Sequence, residues 1–225
     1  MNTEKRWQIT ENTPLALILA PNDLMEKIDY LRYVDALLSV APKSDSLEAL
    51  YRHNLYESWV VFLWSYLEFL TGQVCDEITV LLNQEIKYCD IRAGSIFESV
   101  SKYLKLIGRE TFPSEKMKSR LDVYRRIRNM CVHSSGRRIE TDFNIAGQQS
   151  VKMIKHGGGF KTVSRAQRSA LEQVPGITQY KGTYSLSIDF CNAMIGFSVD
   201  YVLEFQVVAN KIGRRKALFA NAKRD

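Results

Sequence analysis

The stretch SWVVFLWSYLEFL, Ser58 to Leu70, narrows most sharply what this chain can become. Its apolar side chains point to every side of a helix, and such a helix must be enclosed by others. A membrane span needs about 20 mostly apolar residues, and this run is shorter and contains Glu68. The spacing therefore predicts the buried central helix of a bundle, running from about 46 to 83, with Gly72 as a point of kinking or splitting. An unpaired carboxylate in such a run is costly. Glu68 accordingly reads either as a group orienting a functional cation from behind or as half of a structural ion pair.

The rest of the chain supplies the enclosing helices. Leu24, Ile28, Leu31, Val34, Leu37 and Leu38 recur at helical spacing and predict a helix from about 23 to 40. Ile96, Val100, Tyr103, Leu104 and Ile107 define an amphipathic helix closed by Gly108. Ser114 is an N-cap candidate for a helix over about 114–133, whose stripe runs through Met117, Leu121, Tyr124 and Cys131 with Ile127 beside it. Its other faces are basic, and Asp122 stands four residues before Arg126, where the two can pair. After Ser134 the periodicity fades. Residues 136–184 read as an irregular insertion, with a β-hairpin in SVKMIKHGGGFKTV and a short helix in VSRAQRSALEQV. A closing helix over about 187–212 follows, then a basic tail over 213–225. The expected fold is all-α: one domain over 1–225, a bundle of four to five helices with an insertion before the last.

At 225 residues and 45% hydrophobic content, the chain can bury a core without disulfides or metals. Cys75, Cys89, Cys131 and Cys191 are widely spaced and form no CxxC pair, which suits reduced thiols in a cytoplasm. The broken N-terminal region is no convincing secretory signal, so a cytoplasmic protein away from membranes is expected. His53 and His156 have no ligand partners at zinc spacing. KHGGGFK lacks the GxxxxGK[ST] spacing of a phosphate loop, and no cofactor is expected. The net charge of +6 is unevenly placed: residues 1–113 carry 11 Lys+Arg against 16 Asp+Glu, and residues 114–225 carry 20 against 9. A segregated positive half suits a polyanion, nucleic acid being the usual one.

Chemistry concentrates in YRRIRNMCVHSSGRR, Tyr124 to Arg138. Arg128 is a permanent cation with a planar fork suited to phosphate, and His133 can act as acid or base near neutral pH. Asn129 lies four residues before His133, on the same helical side, where its amide can orient the imidazole. Arginine with histidine and no carboxylate cluster suits phosphodiester cleavage without a metal. Arg125, Arg126, Arg137 and Arg138 form an electrostatic surround for RNA. Cys131, between the motif residues, reads as a small apolar filler. Arg128 and His133 are five residues apart, about 140° around an ideal helix. They converge on one phosphate only if the helix end distorts or two copies of the motif meet across a dimer.

RNMCVH has the R-N-x-x-x-H form of the motif of HEPN domains (higher eukaryotes and prokaryotes nucleotide-binding), and RRIRNMCVHSSGRRIE resembles the usual run into and out of it. WVVFLWSYLEFL is similar to the aromatic-rich helix of many prokaryotic members. The resemblance touches roughly residues 50–135 and 185–212. It implies an all-α homodimer with a composite active site, metal-independent endoribonuclease activity, and Arg128 and His133 as the catalytic pair with Asn129 at the polar position. Several members are toxins or antiphage effectors, which implies an antitoxin or sensor as a further partner. Others are catalytically dead. A non-catalytic dimer binding RNA, nucleotide or a partner protein through the basic face is the alternative.

Overall fold

The computed structural model describes residues 9–10, 13–40, 45–134, 174–180 and 183–221. They are mostly helical: α1 (Leu15–Val40), α2 (Asp45–Leu82), a 3-10 turn (Tyr88–Asp90), α3 (Ile96–Gly108), α4 (Glu115–Ser134), a hairpin of β1 (Ile177–Tyr180) and β2 (Thr183–Leu186), and α5 (Ile188–Asn221). The strands pair antiparallel, with Ile177 opposite Leu186 and Tyr180 opposite Thr183. Among the described residues no helix is long and apolar enough to cross a membrane.

The chain divides into two compact units. The first comprises Met1–Asp29, Ser65–Ser119 and Gly196–Asp225; the second comprises Tyr30–Trp64 and Arg120–Ile195. Helices α1, α2, α4 and α5 each contribute residues to both.

In the first unit an aromatic cluster fills the core. Phe112 stacks on Phe205 with ring centroids 4.3 Å apart, and Phe97 meets Tyr201 edge-on at 5.7 Å. The Tyr201 hydroxyl is 2.8 Å from Thr71 Oγ1, and Tyr103 pairs likewise with Thr79. Each threonine already donates its one hydroxyl proton to the carbonyl four residues back, of Leu67 and Cys75 respectively. Each tyrosine must therefore be the donor in its pair. Burial pushes both tyrosines above their ordinary pKa, so both protons are retained. The start of α4 is fixed from α5: Ser114 N and Oγ donate to the two Glu204 carboxylate oxygens at 2.5 and 3.0 Å. A carboxylate at a helix N-terminus also complements the macrodipole.

In the second unit Tyr56, Trp59, Val60 and Leu63 of α2 are buried, as are Leu121, Tyr124 and Ile127 of α4 and Phe190, Cys191 and Met194 of α5. Tyr124 lies 6.0 Å from Phe190. Asp35 Oδ1 accepts from Tyr56 Oη at 2.5 Å and from Arg52 Nη1 at 2.6 Å. Burial, with the Asp35 bond adding to it, pushes the Tyr56 hydroxyl up to about 12.

Several expectations need correction. Helix α1 begins at Leu15, not 23, and runs through Pro21. Ala16, Leu17, Ala20 and Leu24 are buried at helical spacing, and Glu77 of α2 accepts the first-turn Ala16 N–H at 3.0 Å. Helix α2 is continuous past Gly72, where an added Cβ would sit 2.7 Å from the Tyr88 hydroxyl. The glycine marks a close approach, not a break. Nor is α2 enclosed on all sides. Tyr51, Phe62, Phe69 and Val80 are exposed and, on an ideal helix, share an arc of about 20°. Helix α5 passes Gly213 and ends at Asn221, so most of the expected tail is helical. The hairpin expected around Gly157–Gly159 and all but Val174 of the short helix expected over 163–174 lie outside the described residues.

Phe112 is fully buried against Phe205 and Tyr201. Truncating it leaves a cavity that the stacked ring cannot fill. Phe112→Ala is expected to cost about 3–5 kcal/mol, read as a lowered urea midpoint at unchanged slope.

Candidate functional site

Helix α4 presents the motif. Met117, Leu121, Tyr124 and Ile127 are buried, so the side that follows them after one further turn carries Arg128 into a half-buried position. Its Nη1 donates to Asn129 Oδ1 at 3.0 Å. Its Nε is buried and has no hydrogen-bond partner among the described residues. A buried donor without an acceptor destabilises by about 1–3 kcal/mol. Asn129, expected to orient the imidazole, thus gives its acceptor oxygen to Arg128. His133 lies within α4, whose helix is unbroken through Ser134, but its side chain is outside the described residues. Arg137 and Arg138 also lie outside them.

Asp122 organises the two arginines before the motif, Arg125 exposed and Arg126 half-buried. Its Oδ1 accepts from Arg125 Nη2 at 2.6 Å, and Oδ2 pairs with Arg126 Nη2. The expected pairing with Arg126 is present, and Arg125 joins it from one turn of the same helix. Partial burial raises the Asp122 carboxyl, but the bonds from Arg125 and Arg126 outweigh it and hold it below the usual carboxylate range.

Glu68 is half-buried and belongs to the first unit, whereas Arg128 and His133 belong to the second. Cys131 is half-buried; burial first, then the nearby Glu57 carboxylate, pushes its thiol up to about 12. It stays protonated and behaves as a packing residue. No group of three or more His, Cys, Asp or Glu able to hold a metal ion occurs among the described residues. One residue that sequence reading did not single out is Trp59, in the second unit. It is buried against Phe62, and its Nε1 has no hydrogen-bond partner among the described residues. The sequence signal was only its place in the aromatic run.

A carboxyl depressed by its partners contributes stability above its unfolded pKa and loses it as pH falls through the lower folded value. Asp122→Asn is therefore expected to lower the melting temperature at neutral pH. The loss is at most about 1 kcal/mol for so exposed a pair, or about 2–4 °C at this chain length. The gap between the two proteins should close as the medium is acidified through the depressed pKa. A gap that widens in acid would contradict the pairing. No family model, curated protein or solved structure matches the chain.

Proposed function

We propose that the protein is a metal-independent endoribonuclease of the HEPN type. The observation that carries this reading is the half-buried Arg128. One edge of its guanidinium is oriented by Asn129, and its Nε is buried without an acceptor among the described residues, five residues before a histidine on the same helix. A phosphate oxygen is the acceptor that such a fork suits. The ribose 2′-oxygen attacks the adjacent phosphorus while His133 handles the proton of the 2′-hydroxyl or of the departing 5′-oxygen. The bond from phosphorus to the 5′-oxygen breaks, leaving a 2′,3′-cyclic phosphate and a 5′-hydroxyl. Arg128 offsets the charge that builds on phosphorus. By analogy with the family, the biological role is that of a toxin or antiphage effector.

Continuity of α4 through Ser134 favours the two-copy solution to the separation of Arg128 from His133. An undistorted helix keeps them about 140° apart, so each phosphate is served by groups of two chains. The second unit also carries an exposed apolar face suited to self-association: Tyr30, Tyr33, Leu37 and Val40 are all exposed and share an arc of about 80° of α1. Self-association through that face is equally compatible with the second reading, a non-catalytic helical dimer that binds RNA, nucleotide or a partner protein through its basic face.

End-group analysis of RNA separates the two. Wild-type protein should give cyclic-phosphate and 5′-hydroxyl ends in the presence of EDTA. His133→Ala should cut about 10²–10⁴-fold more slowly with its helicity intact, and Arg128→Lys should also be impaired. Mixing Arg128→Ala with His133→Ala chains should restore cleavage that neither gives alone. An active His133→Ala variant would overturn the catalytic reading, and a mixture that stays inactive would overturn the composite site.

A further inference from the structure

Two short stretches with a common Ile-Gly-Arg core meet in the first unit: LKLIGRE (104–110), which closes α3, and NKIGRRK (210–216) of α5. Their approach is close. A Cβ on Gly108 would lie 2.7 Å from Ile212 Cδ1 and 2.8 Å from its Cγ1, so any other residue would force the Ile212 side chain to shift. Arg215 fastens the junction, donating from Nη1 to the Gly108 carbonyl at 2.7 Å and placing Nη2 2.7 Å from Glu110 Oε1. The packing thereby gathers cations from two helices. Lys105 and Arg109 are exposed on one side, and Lys211 and Arg214 on the other.

Glu110 is the only carboxylate that these cations meet among the described residues. Its side chain is 10% exposed and is held by Arg215, with Lys211 Nζ 4.0 Å away. Lys105, Arg109 and Arg214 form no ion pair among the described residues. Helix ends attract cations for a structural reason, since their carbonyls carry partial negative charge. That accounts for Arg215 on Gly108 and for Lys216 on the Leu81 carbonyl at the end of α2. It also favours Lys105, in the last turn of α3, and Arg109, its C-cap, but it does not account for Lys211 and Arg214, which lie inside α5. Cations of one sign around a tight backbone approach, with the buried Glu110 as their one carboxylate among the described residues, suit a polyanion. Arginine forks among them suit phosphate.

We infer that this corner of the first unit is a docking surface for the phosphate backbone of single-stranded RNA, apart from the motif on α4. The choice of RNA among polyanions rests on the ribonuclease reading; the surface itself does not.

The test measures binding of a fluorescein-labelled single-stranded RNA of about 20 nucleotides by anisotropy across a salt series. His133→Ala is the common background, so the probe stays whole. Adding Lys105→Gln, Arg109→Asn and Lys211→Gln should weaken binding at least about tenfold at low salt. It should also flatten the slope of log affinity against log salt by about 2, at about 0.7 for each phosphate no longer neutralised. Asparagine is chosen because Arg109 has φ of 52°, which asparagine tolerates. Should the triple variant unfold, Lys105→Gln with Arg214→Gln removes two groups that hold nothing else among the described residues, and should flatten the slope by about 1.4. Unchanged affinity and slope would overturn the surface. Polyglutamate or phosphatidylserine vesicles competing as well as unlabelled RNA would overturn the assignment to RNA. End groups from the unsubstituted protein keep the two proposals separable. Uncut RNA with a flattened slope removes the ribonuclease and keeps the surface; cut RNA with an unchanged slope does the reverse.

Discussion

One wide face of α2 has to be covered, and two threonines on that face determine how the first unit covers it. Apolar burial is non-directional and would accept several registers of neighbouring helices. Thr71 and Thr79 would not, because each holds its hydroxyl oxygen at one fixed place as the acceptor for a tyrosine from another helix, Tyr201 of α5 and Tyr103 of α3. A buried tyrosine hydroxyl without that partner would lose its hydration for nothing. Once Tyr201 is seated, Phe97, Phe112 and Phe205 can close around it. Glu204, three residues further along α5, then reaches the first turn of α4 at Ser114. The helix carrying the motif is thus started by a carboxylate on α5.

Much of this was legible because it is local. The cap at Ser114 follows from serine placed just before helical periodicity, and its side chain accepts the Met117 N–H from within the next turn. The pairing of Asp122 with Arg126 follows from a four-residue separation. Where the reading failed, the deciding interaction came from elsewhere in the chain. Proline at 21 argues against a helix, yet the apolar side chains around it are buried and Glu77 caps the turn before it. A glycine in a helical pattern can be a stop or a close approach, and sequence does not say which. Gly72 faces Tyr88 and Gly213 is buried inside α5, and neither ends its helix. The aromatic run of α2 looked apolar all round, yet Phe62 and Phe69 are left exposed, because one-sided packing satisfies the wider arc.

The motif on α4 was legible in the same graded way. Arg128 stands seven residues after Leu121, on the rim of the apolar stripe, and half-burial is what that position dictates. What spacing could not supply is the use of each polar edge. Asn129 has two candidate partners in sequence, the residue before it and the one four residues ahead; its oxygen goes to Arg128. Asp122 likewise had two arginines within reach and takes both, so two of the cations expected to attract RNA are already partly neutralised. Trp59 carries no sequence mark that separates it from the other aromatics of its helix, and only burial without a partner for Nε1 among the described residues sets it apart.

The contrast between Asp122 and Glu110 explains how charge is distributed over the basic part of the chain. Both carboxylates pair with arginine, but Asp122 is half-exposed and neutralises the surface it lies on, whereas Glu110 is buried. A buried carboxylate is compensated by its nearest cations and does little for those beyond them, which interact through water and salt. Glu110 therefore fixes Arg215 without quenching Lys105, Arg109 or Arg214. A side chain at Gly108 would press on Ile212, 2.7 Å from its Cδ1, so this position matters to the corner even though glycine itself carries no charge.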